Sequence, residues 1–374
     1  MKFTIKKEIL LEALTKVSKA ISTKNLIPVL AGIKFELKKK KLVLTASDND
    51  ITIQTVIENQ KEEDFQIKNE GSIIIQGKYI LDIVRKLPDE FINIEVIDEL
   101  KILIYTENSE FNLNGISDSE YPNISLEESK KKIDLNAGTL KNIVNQTAFA
   151  SSNEESKPVL TGINFNIVGD ILECNSTDSY RLARKVVTLS DNSENYNIVI
   201  PSHNLVEFIK IVGEDEENVE LHIFNNKILF KTDSLKFESR LINGTYPNTS
   251  NLLPDDSMLV IHTNLNDFYN MIDRVSILTS DKEKNIVTLE TEGNTLILKS
   301  SSVEIGRVEE KMIIEKEGKE DIKISFSAKY MMEALKSFST NTVDLNFVGE
   351  IKPILVKSSE DETLTQLVLP IRTY

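Results

Sequence analysis

One eight-residue phrase occurs twice in this chain, and it constrains the fold more than any other feature. Residues 28–35 and 158–165 share the pattern P-V-L-x-G-I-x-F, so six of eight positions are identical over a separation of 130 residues. The correspondence continues at the same offset, where residues 45–48 fall on residues 175–178. The chain therefore contains a duplicated domain, because self-similarity at a fixed period is the signature of repeated structural units.

Two further segments recur three times and raise the number of predicted units to three. Apolar residues three and four positions apart predict an amphipathic helix in each copy. β-branched runs between these helices predict antiparallel strands. We predict an α+β chain of three tandem similar domains, residues 1–129, 130–254 and 255–374, each with two helices on antiparallel sheets. The predicted helices cover residues 5–17, 135–147 and 263–275 for the first segment and 78–85, 203–210 and 329–336 for the second.

The charge of the chain is strongly negative, yet the second helix of each repeat is basic. The formal net charge is −15, which argues against a protein that grips nucleic acid over its whole surface. Each second helix nevertheless carries two basic residues or a histidine and a lysine seven positions apart, which places both on one helical face. These pairs are Lys78 and Arg85, His203 and Lys210, and Lys329 and Lys336. A solvated face explains one such helix, whereas its recurrence in three repeats favours a surface that meets a polyanion.

The sequence offers no candidate for catalysis or for a metal site. The three histidines, His203, His222 and His262, have no second histidine or cysteine at ligand spacing. No glycine-rich phosphate loop or nucleophile elbow occurs. Asp48 and Asp178 occupy equivalent positions in different repeats, so we expect them to serve in turns. We therefore predict a protein without catalytic residues, metal or cofactor.

These motifs, in order along the whole chain, resemble the bacterial DNA polymerase III beta subunit, the sliding clamp family. The resemblance is carried by the opening Met-Lys-Phe-Thr, by Pro28-Val29-Leu30 with Gly32, by residues 177–183 (T-D-S-Y-R-L-A), by Tyr246-Pro247 and by the ending V-L-P-I-R. It implies a DNA clamp fold in which the three domains form half of a closed ring, with helices lining the hole. It further implies a homodimer that encircles double-stranded DNA without sequence preference and tethers the replicative polymerase.

The resemblance also implies a pocket that binds short peptides of the polymerase, the clamp loader and repair proteins. The chain departs from the family at Ser179-Tyr180, where Gly-His is common, and at Thr373-Tyr374, which adds one residue to the usual ending. Carried over by position, the pocket consists of Leu160, Thr177, Ser179, Tyr180, Arg181, Leu182, Pro247, Leu252, Tyr330, Ile351, Pro353, Leu367, Val368, Leu369, Pro370, Ile371 and Arg372.

Two more sets of residues follow from combining the resemblance with the residue pattern. Apolar residues on otherwise polar segments suggest a dimer interface in which Ile83, Leu87, Phe111 and Leu113 face Ile277 and Leu278 of the partner. Basic residues on the helices and on the loops before each Pro-Val-Leu motif are expected to face the DNA: Lys24, Lys78, Arg85, Lys157, His203, Lys210, Arg274, Lys329 and Lys336.

A second hypothesis remains open, namely a repeat-built protein-interaction scaffold that has no role on DNA. Retention on circular compared with linear DNA distinguishes it from a clamp. The sequence contains no run of about 18 apolar residues, so we predict no membrane span. The single cysteine, Cys174, fits a reducing compartment, so we expect a cytoplasmic protein without membrane contact.

Overall fold

The computed structural model of the chain describes residues 1–21, 27–190, 194–213, 217–254, 256–279 and 285–372. These residues form six α-helices, which confirms two helices in each repeat. The helices are α1 (Lys7–Val17), α2 (Gly77–Lys86), α3 (Ala137–Thr147), α4 (Ser202–Ile211), α5 (Leu265–Ser276) and α6 (Ala328–Lys336). The predicted first helices of the three repeats began two residues too early, because those two residues end a strand that runs directly into the helix.

The strands of the described residues form four antiparallel sheets, and the first two lie in one compact unit, Met1–Gly138 with Glu207–Leu241. The first sheet has the order β5 (Phe65–Asn69), β1 (Lys2–Lys6), β7 (Phe91–Val96), β8 (Lys101–Tyr105) and β9 (Glu110–Asn114). The second sheet has the order β10 (Ile133–Asn136), β15 (Asn218–Ile223), β16 (Lys227–Lys231), β17 (Leu235–Arg240), β4 (Ile51–Glu58), β3 (Lys41–Ser47), β2 (Gly32–Lys38) and β6 (Gly71–Gln76).

The other two sheets lie in the second compact unit, Thr139–Val206 with Ile242–Tyr374. One has the order β14 (Tyr196–Pro201), β11 (Gly162–Val168), β12 (Ile171–Thr177), β13 (Arg181–Thr188), β26 (Leu364–Val368), β25 (Ile354–Lys357), β24 (Thr342–Phe347), β18 (Leu259–Asn264) and β22 (Glu315–Glu317). The other has the order β21 (Gly306–Ile313), β20 (Thr295–Ser302), β19 (Ile286–Glu292) and β23 (Lys323–Ser327).

Each of the two large sheets unites strands from consecutive sequence repeats. Strand β17 of the second repeat pairs with β4 of the first, and β26 of the third repeat pairs with β13 of the second. Both pairings are antiparallel and cover five residue pairs. The repeats are therefore joined by continuous backbone hydrogen bonding within each unit, and a compact unit contains parts of two repeats.

The duplicated Pro-Val-Leu motif has the same structure in both copies. Residues Pro28–Ala31 and Pro158–Thr161 each form one turn of 3₁₀ helix with the proline at its start, where no backbone N–H is needed. The following glycine opens β2 or β11 and admits a close neighbour. A Cβ atom on Gly162 would lie 2.7 Å from the backbone oxygen of Ile200. Close packing, rather than a bulge, therefore accounts for the glycine of the motif.

The helices bury their apolar faces against the sheets, as the spacing of their apolar residues predicts. In the third repeat, Phe268 and Ile272 of α5 join Met331 and Leu335 of α6 in one buried cluster with the strands. In the first repeat, α1 buries Leu10 and Leu14 in the same way. The opposite face of each helix is left to solvent, and that face carries the charged residues of interest.

Candidate functional site

The second helix of each repeat presents its predicted charged pair on the exposed face. Lys78 and Arg85 of α2 are exposed, while Ile80 and Val84 between them are buried. The same arrangement recurs in α4 and α6, whose exposed pairs are His203 with Lys210 and Lys329 with Lys336. The helical periodicity inferred from the sequence therefore places each pair on one accessible face.

The first helices are less uniform than their sequence alignment suggests. Arg274 of α5 is exposed, and its guanidinium Nε lies 3.1 Å from both carboxylate oxygens of Glu310. Gln146 occupies the position in α3 that corresponds to Arg274 in α5, and its polar side chain predicts an exposed residue there, which is wrong. Its side chain is buried, and its amide nitrogen donates to the carbonyl of Ser337 at 3.2 Å. The basic surface therefore rests on the second helices more than on the first.

Several of these cations are only weakly neutralised. Lys78, Lys157 and Lys329 are exposed and form no ion pair with any residue that the structure describes. Lys210 lies 2.7 Å from Glu207, and Arg85 lies 3.9 Å from Asp82, but such exposed pairs contribute little and are screened by salt. The ammonium of Lys336 lies 5.4 Å from the ring centre of Tyr269. A polyanion could therefore compete for these groups. Lys24 lies outside the described residues.

A compact apolar cluster lies in the second unit where β13, β26 and β25 run side by side. Leu182 and Leu367 are direct cross-strand neighbours, and Leu367 also faces Leu355. All three are buried, while Leu253 and Leu369 pack against them half-buried. This cluster forms an apolar floor with two partly accessible members.

Aromatic and aliphatic side chains that are close in sequence to the members of this floor are exposed. Tyr180 is 60% exposed and stacks on Tyr330, with ring centres 6.3 Å apart. Leu252 and Ile351 are exposed as well, and Ser179 holds a positive φ of 78° that turns the chain just before Tyr180. Exposed apolar side chains around an apolar floor are typical of a surface that binds a partner.

Arg181 is committed to its own neighbours instead of being available to a ligand. Its Nε lies 3.0 Å from Asp178, and its Nη2 donates to the carbonyl of Phe149 at 2.7 Å. Its Nη1 forms an ion pair with Glu333, and the guanidinium lies 4.5 Å from the ring centre of Tyr330. Arg181 thus braces the rim that carries Tyr180 and Tyr330.

The ending of the chain is less exposed than the sequence prediction required. The predicted pocket includes residues 367–372, but the first two of these residues are not accessible. Leu367 and Val368 are buried in β26, because they pair with β13 on one side and β25 on the other. Leu369, Pro370 and Ile371 are half-buried and Arg372 is exposed. Residues 373 and 374 lie outside the described residues.

The remaining predicted pocket residues have distinct surroundings. Leu160 belongs to a separate buried cluster with Val199 and Tyr246. The backbone N–H of Thr177 donates to the hydroxyl of Tyr246 at 3.0 Å, so Thr177 has a structural partner of its own. Pro247 is exposed and Pro353 is half-buried.

Sequence reasoning missed four residues that complete this surface: Phe149, Leu253, Glu333 and Leu355. For two of them, the spacing from a predicted pocket residue indicates that they belong to the same surface. Leu355 lies in β25, two positions after Pro353, which directly precedes that strand, and residues two apart in extended chain share a face. Glu333 stands three positions after Tyr330 in a helix, which also places the two on one side.

The predicted dimer residues divide into accessible and buried ones. Phe111 of β9 and Ile277, which follows α5, are exposed, whereas Ile83, Leu113 and Leu278 are half-buried. Leu87 is only 3% exposed, so its assignment to an interface was wrong. It belongs to the interior of the first repeat, and its carbonyl accepts a hydrogen bond from the ammonium of Lys7.

The described residues contain one group of side chains with metal-ligand spacing, Glu128, Glu220 and His222. The carboxylates of this group are already neutralised by lysines. Lys231 lies 2.9 Å from Glu128 and 3.0 Å from Glu220. Hydrogen bonds from Lys236 and Lys231 lower the pKa of Glu128 to about 2. The group is therefore an ion-pair network that fastens residues 125–129 to β15, β16 and β17.

Comparison with known proteins agrees with this architecture. The chain matches the N-terminal, central and C-terminal domains of the DNA polymerase III beta subunit over residues 1–125, 134–248 and 250–372. It is 39% identical over 377 residues to the beta sliding clamp of Staphylococcus epidermidis and 38% identical over 376 residues to that of Staphylococcus aureus, with both chains of each pair covered completely. The crystal structure of the Bacillus subtilis DNA polymerase sliding clamp superposes with a TM-score of 0.96 at 38% identity, again over all of both chains.

Three tandem domains of this fold define a DNA clamp, a ring that acts by enclosing the duplex and catalyses no reaction. The chain belongs to the DNA polymerase III beta subunit family, the bacterial sliding clamps. As a sliding clamp it forms a dimeric ring around double-stranded DNA and tethers the replicative polymerase and other replication proteins. None of the helices in the described part of the chain is long and apolar enough to cross a bilayer.

Proposed function

We propose that the exposed basic faces of α2, α4 and α6 line the hole of the ring and face the duplex. The observation that carries this proposal is the threefold recurrence of these faces in a chain whose net charge is −15. The proposed DNA-facing residues are Lys78, Arg85, Lys157, His203, Lys210, Arg274, Lys329 and Lys336, together with Lys24 outside the described residues. Contacts to phosphates carry no sequence information, and a sliding ring needs contacts of that kind.

A retention experiment tests the clamp function directly. The loaded ring should remain on a sealed circular duplex in moderate salt and leave soon after the circle is cut, because a topological link disappears when the DNA has an end. Equal retention on circular and linear DNA, or a footprint confined to one sequence, would contradict the mechanism. That result would favour the alternative of a protein-interaction scaffold without a role on DNA.

We further propose that partner peptides bind over the apolar floor of Leu182, Leu355 and Leu367. Leu253 and Leu369 would supply accessible apolar contacts, and the Tyr180–Tyr330 stack with Leu252 and Ile351 would form the walls. The proposed pocket keeps the residues predicted from the sequence, with Leu367 and Val368 acting from within the sheet and Arg181 bracing the rim that carries Tyr180 and Tyr330. Short peptides with two or three apolar side chains fit such a surface, because alternate side chains can occupy separate depressions.

Truncation at the end of β26 tests this pocket. Removing residues 369–374 leaves every residue of β26 in place but removes Leu369, whose N–H donates to the carbonyl of Tyr180 at 2.9 Å. We expect polymerase stimulation and peptide binding to be lost while the dimer persists. A truncated protein that still supports processive synthesis would place the pocket elsewhere.

The proposed dimer interface joins the first repeat of one subunit to the third repeat of its partner. Phe111, Leu113 and Ile83 supply accessible apolar area on the first repeat, and Ile277 and Leu278 supply it on the third. Strands β9 and β21 support this proposal, since each is the edge strand of its sheet in the described residues. Replacing Ile277 and Leu278 by Ala should shift the protein to monomers in light scattering, because burial of apolar area contributes about 25 cal/mol per Å².

We propose domain boundaries at residues 1–129, 130–254 and 255–374. The family matches end or begin within a few residues of these limits. We also propose that the chain works in the cytoplasm, where its DNA substrate and replication partners meet it and where its single buried cysteine, Cys174, would remain a thiol.

A further inference from the structure

The pairing of strands from consecutive repeats creates two junctions, and the proposed peptide pocket occupies only one of them. The first junction is the pairing of β4 with β17, and the second is the pairing of β13 with β26. The 130-residue offset of the duplicated motif places Thr52 at the position of Leu182. In the second junction the apolar floor consists of Leu182, Leu367 and Leu355, paired in that order across three strands. The residues paired in the same order in the first junction are Thr52, Glu238 and Leu229. Two of the three floor leucines are therefore replaced by polar residues.

An open cavity of about 370 Å³ lies at this polar floor. One wall is the turn of residues 47–52, and the other wall consists of residues 123–125, which follow a Tyr-Pro pair that recurs at residues 246–247. The lining is completed by Lys227, Glu238 and Arg240. All of these residues belong to the first compact unit. The first junction therefore has a cavity at the position where the second junction has the proposed peptide pocket.

The turn at this cavity has the same hydrogen bonds as the turn of the second junction. The Oδ1 atom of Asp48 accepts from the N–H groups of Asp50 at 2.7 Å and Ile51 at 2.8 Å, as Asp178 does from residues 180 and 181. The N–H of Arg240 donates to the carbonyl of Asp50 at 3.0 Å. The equivalent bond of the second junction runs from the N–H of Leu369 to the carbonyl of Tyr180. The two junctions therefore share a backbone shape and differ in their side chains.

The carboxylates of the first junction lack the cation that the second junction supplies from its own turn. In the second turn, Nε of Arg181 lies 3.0 Å from Oδ2 of Asp178. In the first turn, Ile51 takes the position of Arg181. Asp48 and Asp50 form no ion pair with any residue in the described part of the chain. A cation that a ligand brings into the cavity therefore meets two carboxylates without a competing partner.

The base of the cavity is unsuited to an apolar side chain. Glu238 and Lys227 are half-buried, and the Lys227 ammonium lies 2.7 Å from the Glu238 carboxylate. An apolar group that covered this pair would remove water from two charges, which costs free energy. A lysine or arginine side chain avoids this cost, because it forms charge-assisted hydrogen bonds with the carboxylates of the wall.

We propose that the cavity of the first junction is a second docking site of each subunit, and that it binds a short peptide with a lysine or arginine side chain. The cation lies between Asp48 and Asp50, and the Glu238–Lys227 pair excludes the apolar peptides that bind the second junction. This inference rests on the proposed pocket of the second junction, of which the cavity is the structural counterpart.

The first test uses the capped peptide acetyl-Gly-Arg-Gly-Lys-Gly-amide as the probe and methyl NMR as the readout. Ile51 and Ile124 line the cavity, so their methyl signals should shift during the titration. The double variant Asp48→Asn/Asp50→Asn should weaken binding about tenfold, because it removes the charge from both hydrogen-bond acceptors. The matched control is Glu62→Gln/Glu63→Gln, which removes two charges from exposed residues outside the cavity. Unshifted methyl signals, or equal weakening by both variants, would overturn the proposal.

A charge reversal at one exposed residue keeps the test valid if the double variant fails to fold. Asp50→Lys leaves the hydrogen bonds of Asp48 in place, because these bonds use only the backbone N–H of residue 50. It should abolish the shifts of the Ile51 and Ile124 methyl signals, whereas Glu62→Lys should preserve them. A probe that still shifts both signals in the Asp50→Lys variant would contradict the assigned carboxylates and overturn the proposal.

Failure of this inference is distinguishable from failure of the pocket in the second junction. Removing residues 369–374 should abolish binding of the apolar probe acetyl-Ser-Leu-Ser-Leu-Ser-amide and leave binding of the basic probe unchanged. Loss of basic-probe binding in the truncated protein would place that probe in the second junction and overturn the inference. A truncated protein that binds both probes, with Ile51 and Ile124 shifted by the basic probe alone, supports the new site and rejects only the pocket of the second junction.

Discussion

At the scale of single residues, the glycine of the duplicated motif leaves no room for a side chain without movement of its neighbours. A Cβ atom at Gly162 would lie 2.6 Å from Cγ1 of Val199 and 2.7 Å from the backbone oxygen of Ile200. We expect Gly162→Ala to lower the free energy of unfolding by about 1–3 kcal/mol, the usual cost of overpacking a core. Denaturant unfolding measures this change.

The control for that prediction is Gly138→Ala in α3. A Cβ atom there meets only the side chain of Asn136, at 3.1 Å, and alanine favours a helix over glycine. This variant should be neutral or more stable. Equal losses at Gly138 and Gly162 would show that close packing is not the reason for the glycine.

Residue roles set by local backbone geometry could be predicted from the sequence. Asp48 and Asp178 were expected in turns, and each accepts backbone N–H groups two and three residues further on. Roles that depend on burial could not be predicted in the same way. Gln146 and Leu87 occupy polar and interface positions by alignment, but both are buried by contacts with segments distant in sequence. Side-chain periodicity does not encode such contacts.

At the scale of elements, the positions of helices and strands were predictable because apolar residues recur clearly at helical and at strand spacing in this chain. The first residue of each first helix was less predictable, because β1, β10 and β18 run into their helices without an intervening loop. In the third repeat the junction is marked by Asn264, whose side chain accepts from the N–H of Asp267 at 3.1 Å. The burial of Leu367 and Val368 could not be predicted, because it results from the pairing of β26 with β13, and this pairing joins residues almost 190 positions apart.

The segment that connects the first two repeats has a pH dependence of its own. Glu128 is held by Lys236 at 2.7 Å and Lys231 at 2.9 Å, which lowers its pKa from 4.5 to about 2. A carboxyl group with a depressed pKa stabilises the fold above its unfolded pKa, and this contribution is lost as the pH falls from about 4.5 toward 2. Carboxyl NMR titration should therefore give a midpoint for Glu128 near 2.

Removing one lysine tests the cause of that shift. Lys236→Met should raise the pKa of Glu128, and residues 122–132 should become more sensitive to proteolysis between pH 4 and pH 5. Lys34→Met is the matched control, because Lys34 of β2 pairs with Glu36 at 3.5 Å. A Glu128 pKa that is the same in both variants would contradict the assigned ion pairs.

At the scale of the whole molecule, the repeats are not independent folding units. Strand β4 pairs with β3 of its own repeat on one side and with β17 of the next repeat on the other. A fragment of residues 1–129 would expose β4 as an unpaired edge, and such edges favour aggregation. We expect this fragment to aggregate on concentration, which light scattering detects. A stable monomeric fragment would show that pairing across repeats contributes little.

The last prediction concerns how the whole ring holds DNA. Changing Lys78, Lys157, Lys210 and Lys24 together to Glu should reduce loading and processivity, because the change reverses the charge of the proposed DNA-facing surface. Lys78, Lys157 and Lys210 are exposed, and Lys78 and Lys157 form no ion pair among the described residues. Any single change to Ala should have little effect, because each contact is weak and screened by salt. The effect should grow as the salt concentration falls, since the phosphate term is electrostatic. Changing Lys38, Lys39, Lys40 and Lys41 to Glu gives the same net charge on exposed strand and turn positions and serves as the control. Dimer affinity and peptide binding should remain natural in both variants. A control that impairs loading as much as the helix variant would attribute the defect to net charge alone and would remove α2 and α4 from the DNA-facing surface.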